Sequence, residues 1–490
     1  MSMLGTILRN LRTIGQRSAA PEIRHVVVRA KYDAALTTDE NRRHWALADG
    51  LSADTAASPQ VRRILRNRCR YEVANNSYAR GIVLTLANDA VGTGPRLQLT
   101  GIDGDDARTI ERAFAAWSAA IDLPEKLRLL RMAQAEDGEG FALLTSNPAL
   151  PMPVTLDLRL VEADQIATPG IEPLPENAVD GIVFDDAGNP IVYHLLTAHP
   201  GSGRGGIRLD AERVAAAAVI HLFRPDRPGQ RRGVPELTPA LPLFAQLRRY
   251  TLAVLGAAET AADFAGILYT DSPASGEADA VEPMDTIQLE KRSLLTMPGG
   301  WRMEQMRAEQ PSTTYAEFKH EILNELARCL NMPFNIAAGN SSGYNYASGR
   351  LDHQVYYKAL RVDQARICHQ VLDRIFAAWV REAILVEGFL PQRVRTTATD
   401  WSHQWFWDGH EHVDPAKEAT AQAKRLESHT TTLADEYARR GQDWEHQLRQ
   451  RAREITLMRD LGLELKPANG GPSVLPDSPD PVPAEEVADA

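Results

Sequence analysis

From Leu243 onward, apolar positions recur at Leu243, Leu247, Tyr250, Val254, Ala257, Ala258 and Ala261, on a stretch that is Ala-rich and almost free of charge. That spacing predicts a helix. Roughly 25 residues at ~1.5 Å each make a rod approaching 40 Å. It hangs from "HLFRPDRPGQRRGVPEL", His221–Leu237. Pro225, Pro228 and Gly229 prevent regular structure there, while Pro235, Pro239 and Pro242 suit only a helix's approach or first turn. A second stripe, Tyr315, Phe318, Ile322, Leu326 and Cys329, follows a predicted capping box at Thr314 and Glu317 and stops at "NMPFN". Between the two stripes, residues 265–311 read as a small polar β/loop module, too short to build a large core alone. The middle of the chain therefore reads helix, small module, helix.

The flanks are patterned differently. Residues 1–58 read as a polar arm with Trp45 as an anchor, opening on the amphipathic "MSMLGTILRNLRTIGQR". Residues 60–90 predict one helix on Val61, Ile64, Leu65, Val73, Ile82 and Leu86, with Arg62, Arg63, Arg66, Arg68 and Arg70 as a solvated or salt-bridged face. A helix over 105–121 precedes four β-branched, alternating runs at 140–146, 154–166, 181–196 and 218–223. "DDAGNP" supplies hairpin chemistry within the third, and 199–208 reads as a loop. Residues 336–350 read as a Gly/Asn/Ser loop, and about 350–386 as a long helix ended by Gly388. Three of the eight tryptophans crowd into 401–407, a helical stretch reaches about 461, and the Pro-rich acidic tail 466–490 reads as disordered. The pattern as a whole is α+β.

The formal net charge of −11 disfavours tight nucleic-acid binding by the whole surface, since that affinity comes from Lys and Arg displacing counterions. Three scattered cysteines, Cys69, Cys329 and Cys368, read as reduced thiols without metal or disulfide spacing. No apolar run approaches the ~20 residues of a membrane span. "VGTGP" and "GSGRGG" lack the spacing and setting of a phosphate loop or dinucleotide fingerprint. No G-x-S-x-G elbow or H-E-x-x-H pair occurs. The residues closest to a catalytic set are His403, Asp408, His410, Glu411, His412 and Asp414, whose types suit zinc or a mixed N/O metal but whose spacing fits no known frame. They support an alternative reading as a metal-dependent hydrolase; the competing reading is a packed corner. "GQRRG" is either a phosphate contact or a structural corner.

Several blocks, in register and in order, resemble the lambda-type portal proteins of tailed phages: "YDAALTTDENRRHW", "LRNRCRYEVANNSYARGIVLTLANDAVGTGPRLQ", "HLFRPDRPGQRRGVPELTPAL", "NMPFN…SGYNYASGR" and "VDPAKEATA". The resemblance covers about residues 30–430. It implies a subunit with an N-terminal arm (1–58), a mixed α/β wing (59–234 and 350–400), stem helices at 235–264 and 312–332, a clip between them (265–311), a tunnel loop (333–349), a helical crown (401–465) and the tail. It implies a ring, usually of twelve copies, at one capsid vertex of the virion, assembled in the host bacterial cytoplasm. Double-stranded DNA is packaged and later ejected through that ring. The implied partners are the terminase large subunit, the head-tail adaptor and the major capsid or scaffold protein; no cofactor, membrane or catalytic residue is implied. Tunnel-loop candidates are Asn340, Ser341, Ser342, Tyr344, Asn345, Tyr346 and Arg350. Stem-packing candidates are Leu247, Tyr250, Val254, Ala257 and Ala261. The wing-stem corner would use Arg224, Pro228, Gly229, Gln230, Arg231 and Gly233. A prophage or gene-transfer particle would share all of this.

Overall fold

The computed structural model describes residues 35–102, 104–169, 175–202, 210–263, 267–270, 301–304, 314–396, 399–409, 415–438 and 440–463. The chain divides into two units, Met1–Ser52 and Ala53–Ala490. In the first, Asn41 closes a set of turns: its Oδ1 accepts from the Thr38 N–H at 2.8 Å and its Nδ2 donates to the Leu36 carbonyl at 2.8 Å.

The second unit is α+β. After a short turn of helix α1 (Ala53–Ala56), the segment read as one helix is two, α2 (Pro59–Asn75) and α3 (Ser77–Val91). Asn76 adopts extended backbone between them, and its side chain accepts from the Tyr78 and Ala79 N–H groups as an N-cap. Strand β1 (Arg96–Leu99) leads to α4 (Gly104–Ala120) and α5 (Leu123–Asp137). Pro124 suits the first turn of α5, and Gly138, at φ +89°, ends it in the left-handed region.

Strand β2 (Glu139–Ser146) is the centre of an antiparallel sheet, between β3 (Leu156–Val161) and β8 (Val219–Phe223). Its alternate side chains serve two cores. Ala142 joins the main core with Trp117, Phe114, Phe376 and Trp379, while Phe141 and Leu143 join a second with Ile182, Tyr193 and Val219. That second core lies under the sheet β4 (Ala178–Val179), β5 (Ile182–Phe184), β6 (Pro190–Leu196) and β7 (Ala211–Ala215), in which Asp185–Asn189 forms the expected hairpin turn.

The predicted rod is α6 (Leu241–Asp263), 23 residues long. Of the module after it, the described residues are β9 (Ile267–Thr270) and β10 (Trp301–Glu304), which pair antiparallel. The second stripe is α7 (Tyr315–Arg328). Thr314 stands at its N-cap but in helical backbone, and its side chain makes no capping bond, so the predicted box does not form. Next come α8 (Phe334–Ala338) and α9 (Tyr346–Ile367); a single π turn, Cys368–Leu372, carries α9 into α10 (Asp373–Leu385).

After α11 (Gln392–Thr396), strand β11 (His403–Phe406) corrects the helical reading of 401–465. It pairs with β1, and Trp401, Trp405 and Trp407 pack on the main core. Helices α12 (Pro415–Glu427), α13 (Leu433–Ala438) and α14 (Trp444–Asp460) follow. The N-terminal amphipathic stretch, most of 199–208 and the tail lie outside the described residues.

Candidate functional site

The corner between β8 and α6 is built on buried charge. Glu139, the first residue of β2, is fully buried and accepts from Arg232 Nε at 2.9 Å, Arg232 Nη2 at 2.6 Å and the Gly233 N–H at 3.0 Å. The Arg232 guanidinium, 0% exposed, also donates to the carbonyls of Ile166 (3.2 Å) and Asp180. Arg62 of α2 joins through Asp180, and Arg66 lies 3.5 Å from Glu139. A second buried cluster holds the far side of the corner. Glu236 binds Arg131 at 3.0 Å and Arg224 at 3.2 Å, and Arg131 reaches Asp363 of α9 at 2.9 Å.

The corner candidates thus have distinct roles. Gln230 Oε1 accepts from the Asp226 and Arg227 N–H groups, and its Nε2 donates to the Arg232 carbonyl. Arg231 places its guanidinium 4.6 Å over the Phe184 ring. Pro228 and Gly229 form the exposed turn, with Gly229 at φ +80°. Gly233 and Gly138 cross at a distance no Cβ could share. Arg232 is sealed inside the protein, so the phosphate reading of this arginine falls. Arg62 and Arg66, read from the sequence as part of a solvated or salt-bridged face, are salt-bridged and buried; Glu139, Arg131, Glu236 and Asp363 were invisible to sequence reasoning, which takes isolated charges as surface.

Burial pushes the Glu139 carboxyl up, but the Arg232 charge and the bonds from His221 and Arg232 outweigh it and hold it well below its usual range. His221, 3.1 Å from Glu139, stacks between Phe141 and Phe223 at 4.3 and 4.5 Å. Burial pushes its pKa down from 6.5 against the opposing pull of Glu139. A depressed folded pKa means stability is present above the unfolded pKa and lost as pH falls towards the folded value. Wild type should therefore lose more stability than His221→Phe between pH 7.5 and 5.5. Thermal melts of the two proteins check this, and parallel pH curves would contradict it.

The loop candidates sort into three groups. Asn340, Ser341 and Ser342 are exposed, the last tied by its N–H to Asn340 Oδ1 at 2.9 Å. Tyr344 packs partly against the main core, and Asn345 is the N-cap of α9, accepting from the Ser348 N–H at 2.9 Å. Tyr346 and Arg350 belong to α9, and Phe334–Ala338 is helical, so 333–349 is not a plain loop.

Along α6, Leu247 is buried. Tyr250 meets Phe318 edge-on with ring centroids 4.9 Å apart, Val254 is half-buried and Ala257 is exposed. The side chain of Ala261 lies outside the described residues.

Of the hydrolase set, the two described residues, His403 and Asp408, are each engaged with other partners. His403 is held by the Trp401 carbonyl (2.8 Å) and Asp373 (3.3 Å), and Asp408 accepts from Thr93. His410, Glu411, His412 and Asp414 lie outside the described residues. Among the described residues, Glu162, Asp164 and His199 bring ligand-type atoms together, but Arg70 and Arg66 already neutralise Asp164 at 2.8 and 3.0 Å. The thiols of Cys329 and Cys368 are pushed up to about 11 and that of Cys69 to about 12, burial first, so all three are protonated near neutrality. No helix among the described residues is long and apolar enough to cross a membrane.

The family profile described as phage portal protein, lambda family, matches residues 38–364. Over 453 residues the chain is 26% identical to the "Probable portal protein" of Halomonas phage phiHAP-1, covering 85% of each. It is 22% identical over 450 residues to "Portal protein B" of Escherichia phage lambda, covering 80% of this chain and 83% of that one. A solved chain from the neck of an empty gene-transfer-agent particle overlays 77% of this chain and 93% of its own, at 14% identity and TM-score 0.45. The profile alone spans well over half of the sequence, through the wall of helices and strands that carries the corner, and the chain therefore belongs to the lambda family of phage portal proteins.

Proposed function

We propose that this chain closes into a ring, of twelve copies, at one vertex of a phage or phage-like capsid, and that double-stranded DNA is packaged and ejected through the hole. In this reading 59–234 and 350–400 form the wing, 235–264 and 312–332 the stem, and 265–311 the clip. The terminase large subunit docks during packaging and the head-tail adaptor afterwards, with capsid or scaffold protein around the ring. Assembly takes place in the host bacterial cytoplasm.

The observation that carries this reading is apolar surface that one copy leaves uncovered. Leu252 on α6 is 59% exposed and Leu351 on α9 is 65% exposed, and Leu255 on α6, Phe318 on α7 and Val355 and Val362 on α9 are each at least half exposed. Identical neighbours around an axis would cover such faces. The charge of −11 suits a conduit, because a basic bore would trap phosphates. The exposed tip Asn340–Gly343 supplies short polar contacts without sequence readout, and Arg350, exposed on α9, is the phosphate contact at its end.

Deleting 341–343 keeps Tyr344 and the Asn345 cap, so rings should still form. In particles complemented with that variant, packaged or retained DNA should fall severalfold. Normal genome content per particle would argue against a tunnel loop.

A further inference from the structure

Resting on that ring reading, we propose that neighbouring copies meet head to tail, the acidic outer face of α7 on one subunit seating against the basic and apolar outer face of α9 on the next. Helix α7 buries Leu323, Leu326 and Ala327 in the main core. On its opposite side, Glu317, Glu321 and Glu325 recur every fourth residue, all exposed. Around that row the same open helix face presents Phe318, Ile322, Asn324 and Arg328. Helix α9 turns Tyr356, Leu360, Gln364 and Ile367 inward: the Tyr356 hydroxyl donates to Asp89 at 2.8 Å, and Gln364 Nε2 to the Ala90 carbonyl at 3.1 Å. Its outer face carries Leu351, Val355, Lys358 and Val362, flanked by Arg361, all exposed.

The two faces match in length, charge and polarity. At 1.5 Å per residue the glutamate row spans about 12 Å and the Leu351–Val362 stripe about 16 Å. Among the described residues, Glu317, Glu325, Lys358 and Arg361 take part in no ion pair within the subunit, so their charges are available across an interface. Pairing α7 with α7 would set glutamates against glutamates, which costs several kcal/mol at an interface. Pairing α7 with α9 puts Lys358 and Arg361 against carboxylates and sets Val355 and Leu351 against Phe318 and Ile322. Such a contact joins two different faces, so it repeats from copy to copy and gives a ring when the rotation per subunit closes on a full turn.

Charge reversal of the full-length protein tests this. Glu321→Lys/Glu325→Lys and Lys358→Glu/Arg361→Glu should each lower the ring fraction by about tenfold or more. The quadruple variant should restore rings, which also shows that the reversed chains fold. Native mass spectrometry and negative-stain images read the result. Wild-type rings with undiminished yield in both single-face variants, or no recovery in the quadruple, overturn the α7–α9 assignment and leave the ring reading standing. A wild-type chain that never forms rings removes both.

Discussion

Replacing Arg232 with alanine is expected to cost the fold about 3–5 kcal/mol, because it strands a buried carboxylate. Glu139 is fully buried, and Arg232 is its bidentate partner at 2.6 and 2.9 Å. The Gly233 N–H, His221 and the more distant Arg66 cannot replace that guanidinium, and the Ile166 and Asp180 carbonyls lose their donor as well. The neighbouring residue is the control. Arg231 stacks on Phe184 from a half-buried position, so Arg231→Ala should cost about 1 kcal/mol or less. Chemical unfolding followed by tryptophan fluorescence compares the two. Equal, small losses would mean that Arg232 is not the corner's anchor.

Gly233→Ala should be nearly as damaging. A Cβ there would drive into the Gly138 carbonyl oxygen and come within 2.9 Å of the Glu139 Cβ, while Gly138, at φ +89°, is pressed against the Val234 backbone in return. Both chains at this crossing are fixed by the same glutamate, so neither can retreat without breaking the bonds to Arg232 and Gly233. We expect a loss of about 3 kcal/mol or more, the upper end for an overpacked site. Gly229→Ala sits in open space and should cost only about 1 kcal/mol for its positive φ. Soluble expression and melting temperature separate these outcomes, and a Gly233→Ala protein as stable as wild type would refute the close crossing.

What could be read from the residues follows from local physics. The prolines at 235, 239 and 242 mark the start of α6, and the Asp185–Asn189 turn marks its hairpin, because both signals act within a few residues. Asn76 was missed as a break because the apolar spacing runs through it and only its cap geometry interrupts the helix. Helix α5 left no clean stripe, since Arg131, Gln134 and Asp137 are buried among its leucines and find partners on distant elements. Strand β11 is four residues long and pairs with β1 some 300 residues away, so nothing local to 401–407 marked it as a strand. The corner's arginines were visible, but the burial of Glu139 depends on Arg66 of α2, Asp180 and Arg232, far apart in sequence, arriving together.

The central claim is that this chain completes its apolar surface with copies of itself around an axis. Native mass spectrometry of the purified full-length protein addresses that claim most directly. A single dominant closed assembly of about a dozen subunits, with a central hole in negative-stain images, is the predicted result. A chain that stays monomeric at every concentration and ionic strength tested would contradict it.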